Sequence, residues 1–247
     1  MTLPPAGPDA RDVRRGDDRP SEEHSPGAWA THSFSFGAYY DPANLGFGPM
    51  VCHDDHRLAP GAGYADHPHS DLEVVTWVLD GALVHRSPSL DGAGALGVLG
   101  PGQAQVLSAG SGVVHSETGD AGAGPTRFVQ TWLRPDEAGA RPSYARVEGA
   151  TAPASSGLVP VAGAGGPAGV GVAGATLWVA GCGTEPAVDL VLPEAPLLHV
   201  YVARGAAGLE DGVGLDEGDA VRLHEAGGVR VRLTRGAELL VWSFAGR

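Results

Sequence analysis

Two short stretches place residues that can do chemistry together. "HPH" sets His67 and His69 one residue apart, and "HSE" sets His115 and Glu117 at the same spacing. Along an extended strand residues i and i+2 point to one face, so each pair projects together. Folded against each other, two such strands would converge three imidazoles and a carboxylate, which are donors for a divalent first-row ion. Glu73 shares the parity of the first pair and is a second carboxylate candidate, and spacing does not choose between Glu73 and Glu117. Either pair alone reads equally well as surface or hydrogen-bonded core histidines; two pairs on separate strands argue for a metal. His53, His56 and His85 read as lying behind the site or at the surface. His24, His32, His199 and His224 have no partner at ligand spacing and read as structural.

The elements that must position these pairs are strands. "EVVTWVLDG", "GALVHRS", "AQVLSAG", "RFVQTWL", "ATLWVAG", "LLHVYVARG", "AVRLHEAG", "VRVRLTRG" and "ELLVWSF" are short, rich in Val and aromatics, and bounded by Gly, Pro or Asp. No helical periodicity runs for ten residues or more. Regular short strands with turn signals predict an all-β sandwich or barrel. The two halves also read as copies: "VLDGALVH" followed by "LGPGQAQVLSAG" parallels "VARGAAGL" followed by "LDEGDAVRLHEAG". This pairs Gly81 with Gly205, Gly102 with Gly218, and Gly110 with Gly227. The expected organisation is a poorly ordered tail over 1–28, an N-terminal barrel over 29–148, a Gly/Ala-rich connector over 149–174 and a C-terminal barrel over 175–247. The strands of the second barrel that match the "HPH" and "HSE" stretches carry no His, so a metal belongs to the first barrel alone. The second is expected to be structural.

Composition narrows the function classes. The chain has 247 residues, formal net charge -13, and 16 basic residues that are all Arg. Such acidity repels a phosphate backbone, and no basic stripe offsets it, so nucleic acid is not an expected partner. Cys52 and Cys182 are too few for a disulfide framework or a Cys-rich zinc site. No apolar run is long enough for a membrane span and none resembles a signal peptide, which predicts a soluble, cytoplasmic protein.

The stretches "THSFSFGAYYDPANLGFGP" from Thr31, "HPHSDLEVVTWVLDGALVHRS" from His67, "LGPGQAQVLSAGSGVVHSE" from Leu99 and "FVQTWL" from Phe128 together resemble the pirin family, a branch of the cupins. The specific motifs cover roughly residues 29–135, the remainder matching only in its repeat-like outline. The resemblance implies two tandem cupin β-barrels, a bicupin, whose N-terminal barrel holds one metal through His67, His69, His115 and Glu117. It thereby favours Glu117 over Glu73, which is left a supporting or structural role. Ser70 stands where pirin-like proteins usually carry Arg, which puts substrate preference in doubt but not the metal.

Three neutral imidazoles and one carboxylate leave a six-coordinate divalent ion about two open positions. Iron(II) is the expected ion, with nickel, manganese, cobalt, copper and zinc compatible. The activity implied by the resemblance is that of a quercetin 2,3-dioxygenase, in which a flavonol loses its 3-hydroxyl proton and dioxygen opens the heterocycle with release of carbon monoxide. Glu117 is the candidate for both ligand and general base. Trp77, Phe36, Phe47 and Met50 are apolar residues for the mouth of the barrel, ordinary core packing being the favoured alternative for each. The resemblance also implies a second class of function, a non-enzymatic regulator whose redox-sensitive metal modulates a protein partner. A ligand-sized pocket with open coordination positions favours the enzyme; a closed, four-coordinate metal favours the regulator.

Overall fold

The Val-rich runs form strands throughout the computed structural model, which describes residues 11–90, 96–148 and 157–246. Among the described residues there is no α-helix, and no helix is long and apolar enough to cross a membrane. The first strands are β1 (Arg11–Arg14), β2 (Ser21–Ser25), β3 (Ala28–Thr31), β4 (Met50–Leu58), β5 (Gly63–His69), β6 (Glu73–Asp80) and β7 (Leu83–Arg86). There follow β8 (Leu96–Leu99), β9 (Ala104–Ser108), β10 (Val113–Gly119), β11 (Thr126–Leu133), β12 (Ser143–Val147) and β13 (Val159–Gly163). The chain closes with β14 (Thr176–Gly181), β15 (Ala187–Val191), β16 (Ala195–Arg204), β17 (Ala206–Leu209), β18 (Gly214–Asp216), β19 (Ala220–Ala226), β20 (Arg230–Thr234) and β21 (Glu238–Phe244).

Two compact units result, and neither is a simple run of sequence. Among the described residues the first takes 20–148 with 168–172, and the second takes 11–19, 157–167 and 173–246. The first unit pairs a seven-stranded sheet, ordered β12-β9-β6-β11-β4-β3-β2, with a four-stranded one, β5-β10-β7-β8. The second pairs a six-stranded sheet, β1-β19-β16-β21-β14-β13, with a four-stranded one, β15-β20-β17-β18. Each unit is therefore a two-sheet cupin-like sandwich rather than a closed barrel.

The sheets explain two departures from the expected organisation. Residues 11–14 are not a loose tail: they cover an edge of the second unit's sheet, Arg11 opposite Leu223 through Arg14 opposite Ala220. An open edge strand is a ready template for pairing, and a charged segment of this chain closes it. Residues 21–25 likewise form β2, against β3. The connector contains β13, paired with β14; the rest of that expectation, over 1–10 and 149–156, lies outside the described residues.

Burial follows strand position. β6, "EVVTWVLD", is central in its sheet and buried on both faces over seven of its eight residues, which is why its sequence is nearly continuous in apolar character. β10 alternates strictly, with Val113, His115, Glu117 and Gly119 buried and the residues between them more exposed. In the first unit Ala28, Leu58, Val78 and Phe128 from one sheet pack on Leu83, Leu99 and Tyr64 from the other. Each fully buried large side chain of this kind stabilises the fold by about 1.5–3 kcal/mol. Twenty buried residues of the second unit form one apolar core drawn from both of its sheets.

The internal repeat is visible in hydrogen bonds. Val78 N–H donates to Gln103 O at 3.0 Å and Val78 O accepts from Gly102 N–H at 2.9 Å, while the N–H and O of Val202 do the same with Asp219 and Gly218 at 3.0 and 2.9 Å. Gly81 and Gly205 take matching φ values of 68° and 66° at the turn that follows, a conformation L side chains rarely adopt. The third pairing does not hold in the backbone: Gly110 takes a φ of 45°, whereas Gly227 is not among the residues of positive φ.

Candidate metal centre

Strand β10 is the spine of the site. It lies between β5 and β7, and His115 sits directly opposite His67 on β5, with Val113 opposite His69. Cross-strand neighbours and i, i+2 neighbours share a face, so this register gathers three imidazoles without help from any loop. Their ring centroids lie 4.3 Å (His67 to His115), 4.9 Å (His67 to His69) and 5.0 Å (His69 to His115) apart. One nitrogen from each falls within 4.8 Å of the others.

A bulge between His115 and Glu117 then changes what β5 offers. Glu117 pairs with Tyr64 rather than Ala65, so β5 carries one extra residue and its side-chain alternation resets there. Tyr64 is thereby turned inward beside Glu117. The looped-out stretch also supplies Ala65 O, 2.8 Å from His67 Nδ1. A proton on Nδ1 donated to that carbonyl leaves the Nε2 lone pair of His67 facing its partners. Gly63 is required by close approach, since a Cβ there would collide with the Glu117 carbonyl oxygen.

Glu117 is held from the opposite sheet. Gln105 on β9, Thr76 on β6 and Gln130 on β11 form one row across neighbouring strands. Gln105 Nε2 donates to Glu117 Oε1 at 2.7 Å and Gln130 Nε2 to Oε2 at 2.8 Å, and each amide also donates to Thr76 Oγ1 at 3.2 Å. The amide orientations are fixed in turn. Tyr144 Oη donates to Gln105 Oε1 at 3.0 Å, and Trp132 Nε1 to Gln130 Oε1 at 2.9 Å.

The donor chemistry fits a metal. His69 Nε2 and His115 Nε2 are buried and reach no hydrogen-bond partner, which is costly for imidazole nitrogens unless a ligand uses them. Burial pushes His115 down to about 3, the nearby charge of His67 and His69 adding to it. Burial, then His67, pushes His69 down to about 4. At neutral pH both rings are neutral and present lone pairs, the state that binds metal. Glu117 joins through His115: its carboxylate, His115 and His85 form a second group within 4.8 Å.

Of the two places expected for His85, behind the site or at the surface, the structure takes the first. His85 lies opposite Glu117 in the β7–β10 pairing, fully buried, its Nδ1 3.5 Å from His115 Nδ1 and its ring stacked on Tyr144 at 4.6 Å. Burial pushes it down to about 4 despite the opposing pull of Glu117. His56 also lines the site, with Nδ1 2.7 Å from Tyr64 Oη, whereas His53 faces the other side of β4 and meets Thr131. Glu73 takes the structural role expected of it, accepting from Ser108 Oγ at 2.7 Å. Its shared parity with His67 carries no weight, because the chain turns at Asp71 (φ 51°) and β6 joins the other sheet.

A cavity of about 420 Å³ opens over these residues, lined by His67, His69 and Glu117 at one side and by Phe36, Tyr64 and Trp132 among others. Of the four apolar residues considered for its mouth, Phe36 lines it; Trp77, Phe47 and Met50 are buried core. Gln105 and Gln130 are the site residues that sequence reasoning missed. Neither carries a distinct signal, since each is one of several polar residues in its strand.

Two cupin-like units, with groups of His and carboxylate donors close enough to share an ion confined to the first among the described residues, define a bicupin. A family model described as Pirin matches residues 16–133. A Mycobacterium tuberculosis protein named "Putative quercetin 2,3-dioxygenase" is 39% identical over 94% of this chain and 93% of its own. The quercetin 2,3-dioxygenase of Escherichia coli is 34% identical over 53% of this chain and 55% of its own. A bacterial pirin from Escherichia coli, solved in complex with nickel(II), superposes with a TM-score of 0.82 at 23% identity, covering 96% of this chain and 100% of that one. The chain belongs to the pirin family.

Proposed function

We propose that His67, His69, His115 and Glu117 hold one divalent ion, and that the protein is a metal-dependent dioxygenase acting on flavonols such as quercetin. The observation that carries this reading is the pair of buried, partnerless Nε2 atoms of His69 and His115, beside a third imidazole and under a ligand-sized cavity. When bound, the ion supplies a Lewis acid for a substrate oxygen and a centre for dioxygen chemistry. The nickel of the related pirin and the names of the relatives support the reading. Iron(II) is the ion we expect in this chain.

The chain's own residues do the rest. Phe36, Tyr64 and Trp132 offer aromatic walls to a flat ligand in a cavity of about 420 Å³, within the roughly 300–1,000 Å³ usual for small-molecule sites. Gln105 and Gln130 hold the Glu117 carboxylate beside His115. Glu117 is the group that takes the proton of the substrate hydroxyl. The cavity is also what favours an enzyme over a regulator that uses its metal to engage a protein partner. Aerobic incubation of iron-, nickel- or copper-loaded protein with quercetin tests the proposal: flavonol absorbance falls if it is right, and stays constant with every metal if it is wrong.

A further inference from the structure

Three residues read from sequence as tail and structural histidines meet at the rim of the same cavity. Glu22 and His24 lie two apart on β2, and His32 follows β3, its backbone N–H bonded to Pro20 O at 2.9 Å. β2 carries its own irregularity between Glu23 and Ser25, so His24 is the extra residue of a bulge. Bulges at sheet margins redirect side chains. Here the result is that Glu22 Oε1 stands 3.6 Å from His24 Nε2 and 3.7 Å from His32 Nε2. Those separations are too long for hydrogen bonds. They are close to the roughly 3.4 Å between donors around one tetrahedral ion with bonds of about 2.0–2.1 Å.

The surroundings prepare the donors for an ion. His32 Nδ1 lies 2.7 Å from Asp54 Oδ2, the carboxylate–histidine arrangement that fixes a ligating ring and turns its Nε2 lone pair outward. Phe36 stacks on His32 at 4.4 Å and meets His24 edge-on at 5.4 Å, holding both rings. His32 is buried, Glu22 half-buried and His24 exposed, so a donor set anchored in the protein still leaves a side open. His24 and His32 both line the cavity, and the Tyr64 ring separates them from the first group, 6.0 Å from His24 and 6.4 Å from His67.

We infer that Glu22, His24 and His32 form a second divalent-metal site at the cavity rim, taking a borderline ion such as Zn²⁺ or Co²⁺ with three protein ligands and at least one open position. Two imidazoles and a carboxylate with an exchangeable fourth ligand suit such ions. An ion there would place a Lewis acid across the cavity from His67, His69 and His115, able to take an anionic oxygen of a ligand. The inference does not depend on the flavonol reading.

Metal-free protein without a polyhistidine tag is titrated with Zn²⁺ by calorimetry and with Co²⁺ by visible absorption. Wild type is expected to take up two equivalents, the variant carrying Glu22→Gln and His24→Ala only one, with its unfolding midpoint unchanged. His115→Ala is expected to lose the other equivalent and keep the rim one, including its Co²⁺ band. A single wild-type equivalent that survives Glu22→Gln with His24→Ala overturns the inference, as does uptake of two equivalents by that variant. A single wild-type equivalent that disappears in that variant supports the rim site and counts instead against the inner one.

Discussion

Gln130 reaches across from the seven-stranded sheet to donate to Glu117 Oε2 at 2.8 Å, so the carboxylate on one sheet is oriented by an amide on the other. Gln130→Leu leaves that buried oxygen without its donor. The metal-free protein is expected to lose about 1–3 kcal/mol of stability in urea unfolding. Metal affinity should fall as well, since residues that orient ligands typically matter roughly 10–100-fold. Unchanged affinity by calorimetry would show that Glu117 is not a ligand.

Gly63 tests the approach of β5 to β10. In Gly63→Ala the new methyl meets the Glu117 carbonyl and Thr118 Cα, both backbone, so β5 must move away from the bulge. Overpacking of this kind costs typically about 1–3 kcal/mol. The expected outcome is a lowered unfolding midpoint together with weakened metal binding, because the same shift withdraws His67 from His115. A stability loss with full metal affinity would mean that the bulge does not position the site.

His85 is buried beside both His115 and Glu117. His85→Phe keeps a ring to stack on Tyr144 and removes both nitrogens. If His85 only supports the site, the variant binds the same number of metal ions with reduced affinity and an altered Co²⁺ spectrum. Loss of the inner equivalent would instead make His85 a ligand in place of Glu117.

Acid sensitivity follows from buried neutral histidines. His199, fully buried in the second unit, is pushed down to about 3 by burial and then by Arg222 and Arg19. Its folded value lies below its unfolded value of about 6.5, so the unfolded state binds the extra proton first. The contribution is complete above pH 6.5 and is lost as pH falls toward 3. Between pH 6.5 and 5 the loss is about 2 kcal/mol for this residue. Urea unfolding at pH 7 and pH 5 should show at least that difference, since His69, His85 and His115 add to it in the same direction, and His199→Leu should shrink it. An equal pH dependence in the variant would refute the assignment.

Much of the fold was legible because its signals are local. The Val-rich runs bounded by Gly appear as strands, and the "HPH" and "HSE" pairs share a face because parity is conserved within a strand. Parity fails between strands, which is why Glu73 drops out once the chain turns at Asp71. Gln105 and Gln130 carry no local sign of their role, since a buried amide acts only through the opposite sheet. The charged segments over 11–25 resemble a tail by composition, yet β1 is ordered by a sheet edge that distant residues create and β2 by its hairpin with β3. Glu22, His24 and His32 were overlooked for the same reason.

The most direct test of the central claim is elemental analysis of protein purified without added metal, run beside His115→Ala. The account predicts tightly held first-row metal in the wild type and loss of most of it in the variant, with the fold intact. A His115→Ala protein that retains its full metal content, or a wild type that holds none and binds none when iron(II), nickel(II) or zinc(II) is offered, would contradict it.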